Sequence, residues 1–379
     1  MKRRDGLAAL LAACVTAAPA RGRTLRVERG DPLQQAVAEA RDGDVVELAE
    51  GDHHGQTAVV TQQALTLRGT GAGAVLHADG AHAEGKALLV VRGGRVTVDN
   101  LEFRGARVPH GNGAGIRFER GALELRRCRF FDNEMGLLSA DVADAELALH
   151  DCDFGDAPRH QGLLHHLLYV GRMRSLVLAG SRFGNGWRGH LVKSRAARNL
   201  ILCNQLVDGE QGGCSYELDL PDGGLAWIIG NVLGQGPQPQ NPALLAYGAE
   251  RHLHADNALF VAHNSFVNDA AGPAAFVRHW PESLPAGTEL HLVNNLLLGD
   301  GTLPGGDTGQ GNVRRELADL DRHRGLAAAL RAMAASLPPV AAADSARGVE
   351  LAPATEIAEP LGLRPRAAPA AWRPGAFQP

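Results

Sequence analysis

A short motif recurs along this chain and restricts its fold more than any other feature. A run of Val, Ile or Leu is followed by a small or polar residue, any residue, and then Phe or Leu. It reads Leu101-Glu102-Phe103, Cys128-Arg129-Phe130, Cys152-Asp153-Phe154 and Ser181-Arg182-Phe183. It continues as Asn204-Gln205-Leu206, Asn231-Val232-Leu233, Asn264-Ser265-Phe266 and Asn295-Leu296-Leu297. Successive steps are 27, 24, 29, 23, 27, 33 and 31 residues. A constant ladder with variable insertions is the signature of a solenoid whose coils carry loops of unequal length. No long helical periodicity runs between Thr57 and Gly299, only short β-rich runs divided by Gly, Asp and Asn. The predicted fold is all-β, a right-handed parallel β-helix whose coils stack at roughly 4.8 Å. Phe and Leu then form an interior column, and Asn from Asn204 onward hydrogen-bonds from coil to coil at the turn.

An open solenoid end exposes unpaired strand edges and needs a cap. Asp31 to Arg41 predicts a short amphipathic helix with Asp31 as N-cap and Pro32 at its first position. Gly43 to Leu48 turns from it into the first strand. Val313 to Ala335 reads as a second helix, and beyond Leu337 Pro and Ala dominate, so the remainder is expected to wrap the solenoid with little regular structure. The expected plan is an export segment over 1–20, a β-helix with its helical cap over 24–300, and a C-terminal cap and tail over 301–379, with no second catalytic domain.

Lys2, Arg3 and Arg4 precede an apolar run from Leu7 to Val15, and Ala18-Pro19-Ala20 offers a small-residue cleavage site. Leu11-Ala12-Ala13-Cys14 also fits a bacterial lipobox, so cleavage after Ala20 and lipid anchoring through Cys14 stand as two readings. Both put the mature chain outside the cytoplasm, secreted or periplasmic. No later run reaches the roughly 20 apolar residues of a transmembrane helix. Lys and Arg number 38 against 42 Asp and Glu, a net charge of −4, which leaves no basic footprint for nucleic acid. Four cysteines remain after export: Cys128, Cys152, Cys203 and Cys214. An oxidising compartment permits disulfides, but Cys128 and Cys152 recur at equivalent repeat positions and read as small buried fillers. Their spacings fit no zinc pattern. The pairs His53-His54 and His165-His166 are adjacent strand residues facing opposite sides, so neither is expected to share a metal ion.

The cap segment Leu33–Leu48, the ladder and the closing Gly375-Ala376-Phe377 together resemble the pectin-lyase-like superfamily of right-handed β-helix proteins. That superfamily includes polysaccharide lyases, hydrolases, uronate epimerases and non-enzymatic adhesins, so the resemblance implies a fold and leaves the activity open.

A second set of strands follows the ladder: His166-Leu167-Leu168-Tyr169, His190-Leu191-Val192-Lys193, Tyr216-Glu217-Leu218-Asp219, Leu244-Leu245-Ala246-Tyr247 and Phe276-Val277-Arg278-His279. Their third positions are mostly apolar and should face inward, which sends the fourth outward. Tyr169, Lys193, Asp219, Tyr247 and His279 are therefore expected to form one outward column, suited to an extended sugar polymer. His166 and His190 should point inward by alternation, unless the strand's entry re-aims them. Lys193 and Arg195 share a strand face, and their repulsion should lower the lysine pKa enough for a general base.

Uronate β-elimination needs a base for the C5 proton, a cation for the carboxylate and an acid for the leaving oxygen. Lys193, Arg195 and Tyr169 or Tyr216 could fill those roles, with His190 as a competing base. His166, Glu217, Asp219, Tyr247 and His279 are the candidate substrate contacts. The Lys193-Ser194 pair is similar to that of the chondroitinase B and alginate lyase type of β-helix enzyme, where Lys-Ser carries the base. That resemblance implies an arginine in the next coil and an acidic calcium cluster before the lysine, whereas this chain offers Tyr216-Glu217-Leu218-Asp219 and no such cluster. Arg195 is the substitute, with calcium near Asp219 or Glu217 as the other route. Polygalacturonase-type aspartate clusters with Gly-His-Gly are missing, and Asp219 and Asp222 read as a turn around Pro221. The expectation is a monomeric lyase acting on an acidic, uronate-containing polysaccharide. Non-catalytic glycan or surface binding and uronate C5-epimerisation are the alternatives.

Overall fold

Three short strands make one coil, and the turns between them differ in kind. Around Asn100, Arg95–Asp99 leads into Leu101–Arg104 and then, after a loop, into Ala114–Phe118. The computed structural model describes residues 22–160, 162–250, 252–306 and 310–379. The expected export segment with Cys14 lies outside them.

Equivalent strands stack into three sheets. The first has 11 strands, from Thr24–Val27 to Glu289–Val293, and the second has 11, from Gly51–His54 to Val313–Arg315. The third has 10, from Ala58–Val60 to Gly301–Thr302. Pairing within them is parallel throughout, for example Leu123 with Leu147, Phe130 with Phe154 and Val192 with Leu218. The chain is an all-β parallel β-helix.

The corner between the first and second sheets is a single residue in the left-handed region. Asn100, Arg127, Asp151, Cys203, His263 and Asn294 hold φ between 51° and 57° there, and Gly180 and Gly230 occupy the equivalent places. Left-handed backbone costs an L-residue roughly 1–2 kcal/mol, so something must hold the corner. The next residue does so. The backbone N–H and Nδ2 of Asn204 both donate to Asn231 Oδ1, at 2.8 and 2.9 Å. Asn231 donates in the same way to Asn264 at 2.9 and 3.0 Å, and Asn264 to Asn295 at 2.9 and 3.1 Å. Asn295 closes the series on Asn312. Each Nδ2 also reaches a carbonyl oxygen of the preceding coil, such as Leu178, Ile201, Ile228 and Val261. Asn204, Asn231, Asn264 and Asn295 are all buried, and their bonding removes the penalty that burial would carry.

Two residues further on, the aromatic ladder faces the core. Phe103, Phe130, Phe154 and Phe183 stack with centroids 5.0, 4.4 and 4.6 Å apart, and Leu206, Leu233, Phe266 and Leu297 continue in register. Cys128, Cys152, Cys203 and Cys214 are buried free thiols, and Cys128 and Cys152 fill equivalent places in the core as expected.

The N-terminal cap helix, α1, spans Leu33–Glu39 and buries Leu33 and Val37. It begins later than its sequence signal. Asp31 accepts the N–H of Glu28, Pro32 takes the cap position, and Gln56 Oε1 receives the Leu33 N–H at 2.9 Å. At the other end Val313–Arg315 is not helical, because it pairs with Leu296–Leu298 as one more strand. The second helix, α2, is confined to Leu326–Ser336. The tail then packs back along the outside. Ala343, Val349 and Leu351 cover Trp227 and Phe260, and Phe377 joins Leu296 and Leu330. Trp227 is thus an anchor for the tail, with its Nε1 donating to Ala346 O at 3.2 Å. No helix among the described residues is long and apolar enough to cross a membrane.

Asn231→Ala is expected to lower the unfolding free energy by about 3 kcal/mol, because it leaves the buried Asn204 N–H and one of the two Nδ2 hydrogens without an acceptor. Urea unfolding checks this; a loss within error would mean that strand pairing alone holds the corner.

Candidate functional site

The third sheet presents one outward residue per coil. Its register joins Val90, Arg117, Leu138, Tyr169, Lys193, Asp219, Ala246 and Arg278. Tyr169, Lys193 and Asp219 lie side by side as the sequence predicted. Beyond Asp219 the expected column is wrong by one residue. Tyr247 pairs with Leu220, and His279 pairs with Tyr247. Tyr247 is therefore buried in the core, where its Oη donates to Gly224 O at 2.6 Å. His279 belongs to a separate cleft bounded by Pro281 and Leu284. The slip arose because Leu244-Leu245-Ala246 is apolar on both faces, so alternation carried no phase.

Around Lys193 the charges interlock. Its Nζ lies 3.1 Å from Asp219 Oδ2 and 3.2 Å from Glu250 Oε1. Arg195 holds Glu250 at 2.9 Å and Asp222 at 2.6 Å, and its Nε donates to Tyr169 Oη at 3.0 Å. Arg172 grips the other oxygen of Asp222 and the carbonyl of His252, and His254 Nε2 meets Arg195 O at 2.9 Å. The segment after Tyr247 thereby folds back over the sheet and delivers Glu250 to two cations at once. Asp222 is not merely a turn residue, since it is buried and pairs with both arginines.

These contacts overturn the expected lysine pKa. Burial pulls the Lys193 ammonium down, but Asp219 and Glu250 outweigh it and lift the pKa above the usual lysine value. Lys193 is a fixed cation. Arg195 is likewise raised by Glu250 and Tyr169 against burial. Burial pushes Asp219 up to about 6, against the pull of Lys193, and its Oδ1 has no hydrogen-bond partner. The hydrogen bond from Arg195 holds Glu250 below the usual glutamate value.

His166 and His190 stand at the entries of their strands, whose regular parts begin at Leu168 and Val192. There the rings turn toward the groove. His166, His190 and Tyr216 form a stack with centroids 4.9 and 5.0 Å apart, and His166 lies 5.4 Å from Tyr169. His166 Nδ1 accepts the His190 N–H at 2.9 Å, and His190 Nδ1 accepts the Tyr216 N–H at 3.2 Å. A ring whose Nδ1 accepts must carry its proton on Nε2. The Nε2 of His190 lies 3.3 Å from Asp219 Oδ2. With Nδ1 taken by the Tyr216 N–H, the neutral His190 ring turns a donor rather than a free lone pair toward Asp219. Burial, reinforced by the neighbouring cations, holds His190 well below its usual pKa and His166 down to about 3. Burial and the Asp219 charge raise the Tyr216 phenol, which keeps it protonated.

Glu217 departs from its expected role as a substrate contact. It turns inward before the strand begins, with Oε1 3.5 Å from Cys214 Sγ, and burial beside Asp208 raises its pKa well above normal. Asp219 and Glu217 therefore do not form the oxygen pair that calcium would need. Elsewhere, Asp52, His54 and His77 place one ligand atom each within 4.8 Å of one another on the second sheet. His54 faces out there while His53 is buried, so the pair that meets is His54 with His77 on the next coil. These side chains are already hydrogen-bonded, His77 with Asp52 and His54 with Asp79.

Glu250, Arg172 and His254 were missed in the sequence, and Asp222 was read there only as a turn residue. The available signal was the step of 33 residues between Asn231 and Asn264, the largest in the ladder, which marks the loop that carries Glu250 and His254. No known family model matches the chain, and no curated protein matches it.

The buried imidazole makes stability depend on acid. Unfolded histidine takes up a proton below about 6.5, whereas folded His166 does so only near 3, so its stabilising contribution is complete above 6.5 and is lost as pH falls. Asp219 has the opposite sign, its contribution declining as pH rises from about 4 to 6. Comparison with His166→Gln, which keeps an acceptor for the His190 N–H, isolates the histidine. Between pH 7 and pH 5 the wild type is expected to lose about 2 kcal/mol more than the variant in urea unfolding. Equal losses would mean that His166 titrates normally.

Proposed function

We propose that this chain is an exported member of the pectin-lyase-like superfamily that cleaves a uronate-containing polysaccharide by β-elimination on the third sheet. The observation that carries this reading is the carboxylate of Glu250 lodged between Lys193 and Arg195. Glu250 is the most exposed of the acids there, with 41% of its side chain accessible, while Lys193 and Arg195 are 12% and 16% accessible. A substrate carboxylate that displaced it would meet a ready-made clamp of two cations.

Two tyrosines flank that clamp from the neighbouring coils. Tyr169 Oη already accepts a hydrogen bond from Arg195, which fixes the phenol oxygen beside the clamp, where it is placed to take the C5 proton. The electron pair then moves toward the carboxylate, where Lys193 and Arg195 stabilise the developing negative charge. Collapse forms the C4–C5 double bond and breaks the C4–O bond. Tyr216, held protonated, gives its proton to the leaving oxygen. In this assignment Lys193 serves as an electrostatic clamp rather than as the base. The neutral His166 and His190 orient the site, and Asp219 fixes the ammonium.

Hydrolysis is the second reading, and one observation favours it. Asp219 is pushed up to about 6 while Glu250 is pulled down, and both touch the same ammonium. Carboxyl groups with divergent pKa values are the usual equipment of a glycosidase.

Purified protein should be incubated with alginate, pectate, chondroitin and heparin-like polymers while ultraviolet absorbance and new reducing ends are followed together. Elimination predicts both signals, each reduced about 100-fold or more in Tyr169→Phe and in Arg195→Ala. Reducing ends without absorbance would establish hydrolysis instead. Neither signal from any polymer would leave glycan binding without cleavage, or C5-epimerisation, as the function.

A further inference from the structure

The outward column that carries Tyr169 and Lys193 also carries Arg117, three coils nearer the N-terminus. At the inter-strand spacing that is roughly 14 Å from Lys193 along the same sheet. Arg117 is half-buried between the interior residues Ile116 and Phe118 and lines a cleft of about 440 Å³. Lys86, His110, Asn112 and Leu138 share the cleft.

Charge accounting singles out this arginine. Glu84, which also lines the cleft, is taken by Lys86 and Arg92, and Glu119 by the same two cations. Among the described residues Arg117 has no ion pair, and its buried Nε has no hydrogen-bond partner. A guanidinium kept half-buried without an anion is costly unless a ligand supplies one. The wall of the cleft is also fixed in advance. Glu134, itself buried, accepts the backbone N–H groups of Val108 and Gly113 at 3.1 and 2.6 Å, which pins the loop bearing His110 and Asn112.

Between the cleft and the Lys193–Arg195 clamp the surface changes character. Leu138 and Met135 pack against Tyr169 and leave an apolar stretch without charge. The groove thus reads as cation, apolar platform, cation pair. An acidic glycan in extended form has the matching order of anionic substituent, apolar ring faces and anionic substituent.

We propose that Arg117 is a remote anion subsite, binding a carboxylate or sulfate of the same glycan several sugar residues away from the one held by Lys193 and Arg195. The inference rests on the acidic-glycan reading above. Its function is to set register and minimum chain length, so that long polymer binds better than short fragments. Arg117 touches the glycan away from the reacting bonds and is a binding residue rather than a catalytic one.

Affinity electrophoresis of the full chain through gels containing alginate, polygalacturonate, chondroitin sulfate or heparin tests this. Wild-type protein should be retarded by at least one of these polymers. Arg117→Ala should raise the dissociation constant for that polymer about tenfold, with Arg117→Lys intermediate, since it keeps the charge and loses the fork. Retention of Arg117→Ala equal to wild type, with an unchanged melting temperature, overturns the subsite and leaves the acidic-glycan reading standing. Wild-type protein that no polymer retards overturns both. A polymer with carboxylates only, compared with a sulfated one, decides which anion Arg117 takes.

Discussion

Everything in this molecule depends on the coil returning to the same place each time. The asparagine ladder is the interaction that enforces this. One side-chain oxygen accepts two donors from the coil before it, and one side-chain amide closes on that coil's carbonyls. The corner is thereby both turned and stacked. Once the corner is fixed, the second sheet begins at a defined residue and the aromatic column aligns behind it. The third sheet is less tightly specified, because it follows the loops of variable length. The helix therefore keeps its rigidity at one corner and its freedom at the opposite side, where the charged groups gather.

That asymmetry explains what could be read in advance. Phe103, Phe130, Phe154 and Phe183 announced their own register, because a large ring between polar neighbours marks a strand's phase. The Lys193 and Asp219 strands were legible for the same reason. The Leu244-Leu245-Ala246 strand was not, since it is buried on both faces and nothing distinguishes inside from outside. The helix expected from Val313 failed similarly: its first three residues were claimed by the open edge of Leu296–Leu298. Backbone pairing with a waiting edge outweighs a weak local preference.

The chemistry of this charged cluster was less visible than the strands that carry it. Lys193 beside Arg195 suggests a depressed lysine pKa, and on an isolated strand that argument would hold. Two carboxylates reverse the sign, one from the next coil and one from a loop 57 residues away in sequence. Sequence proximity gave the repulsion, and the fold supplied the larger attraction. His190 teaches the same lesson through hydrogen bonding. Its identity suggests a base, yet the Tyr216 N–H occupies Nδ1 and the proton is left on Nε2, facing Asp219. Tautomer assignment required the backbone of the following coil.

The balance of charge in this site bears on how an acidic polymer could enter it. Lys193, Arg195 and Arg172 face Asp219, Asp222 and Glu250, so the resting site is neutral and exerts little long-range pull. Two of the three acids are almost wholly buried and fixed, leaving Glu250 as the one that can leave. Exchange of its carboxylate for another keeps both cations paired throughout, which avoids the penalty of a buried unpaired charge. A neutral sugar in the same place would displace Glu250 without replacing its charge. On the proposed function, discrimination for an anionic residue would be built into the resting state, through the Glu250 carboxylate that must be displaced rather than through an empty attractive pocket.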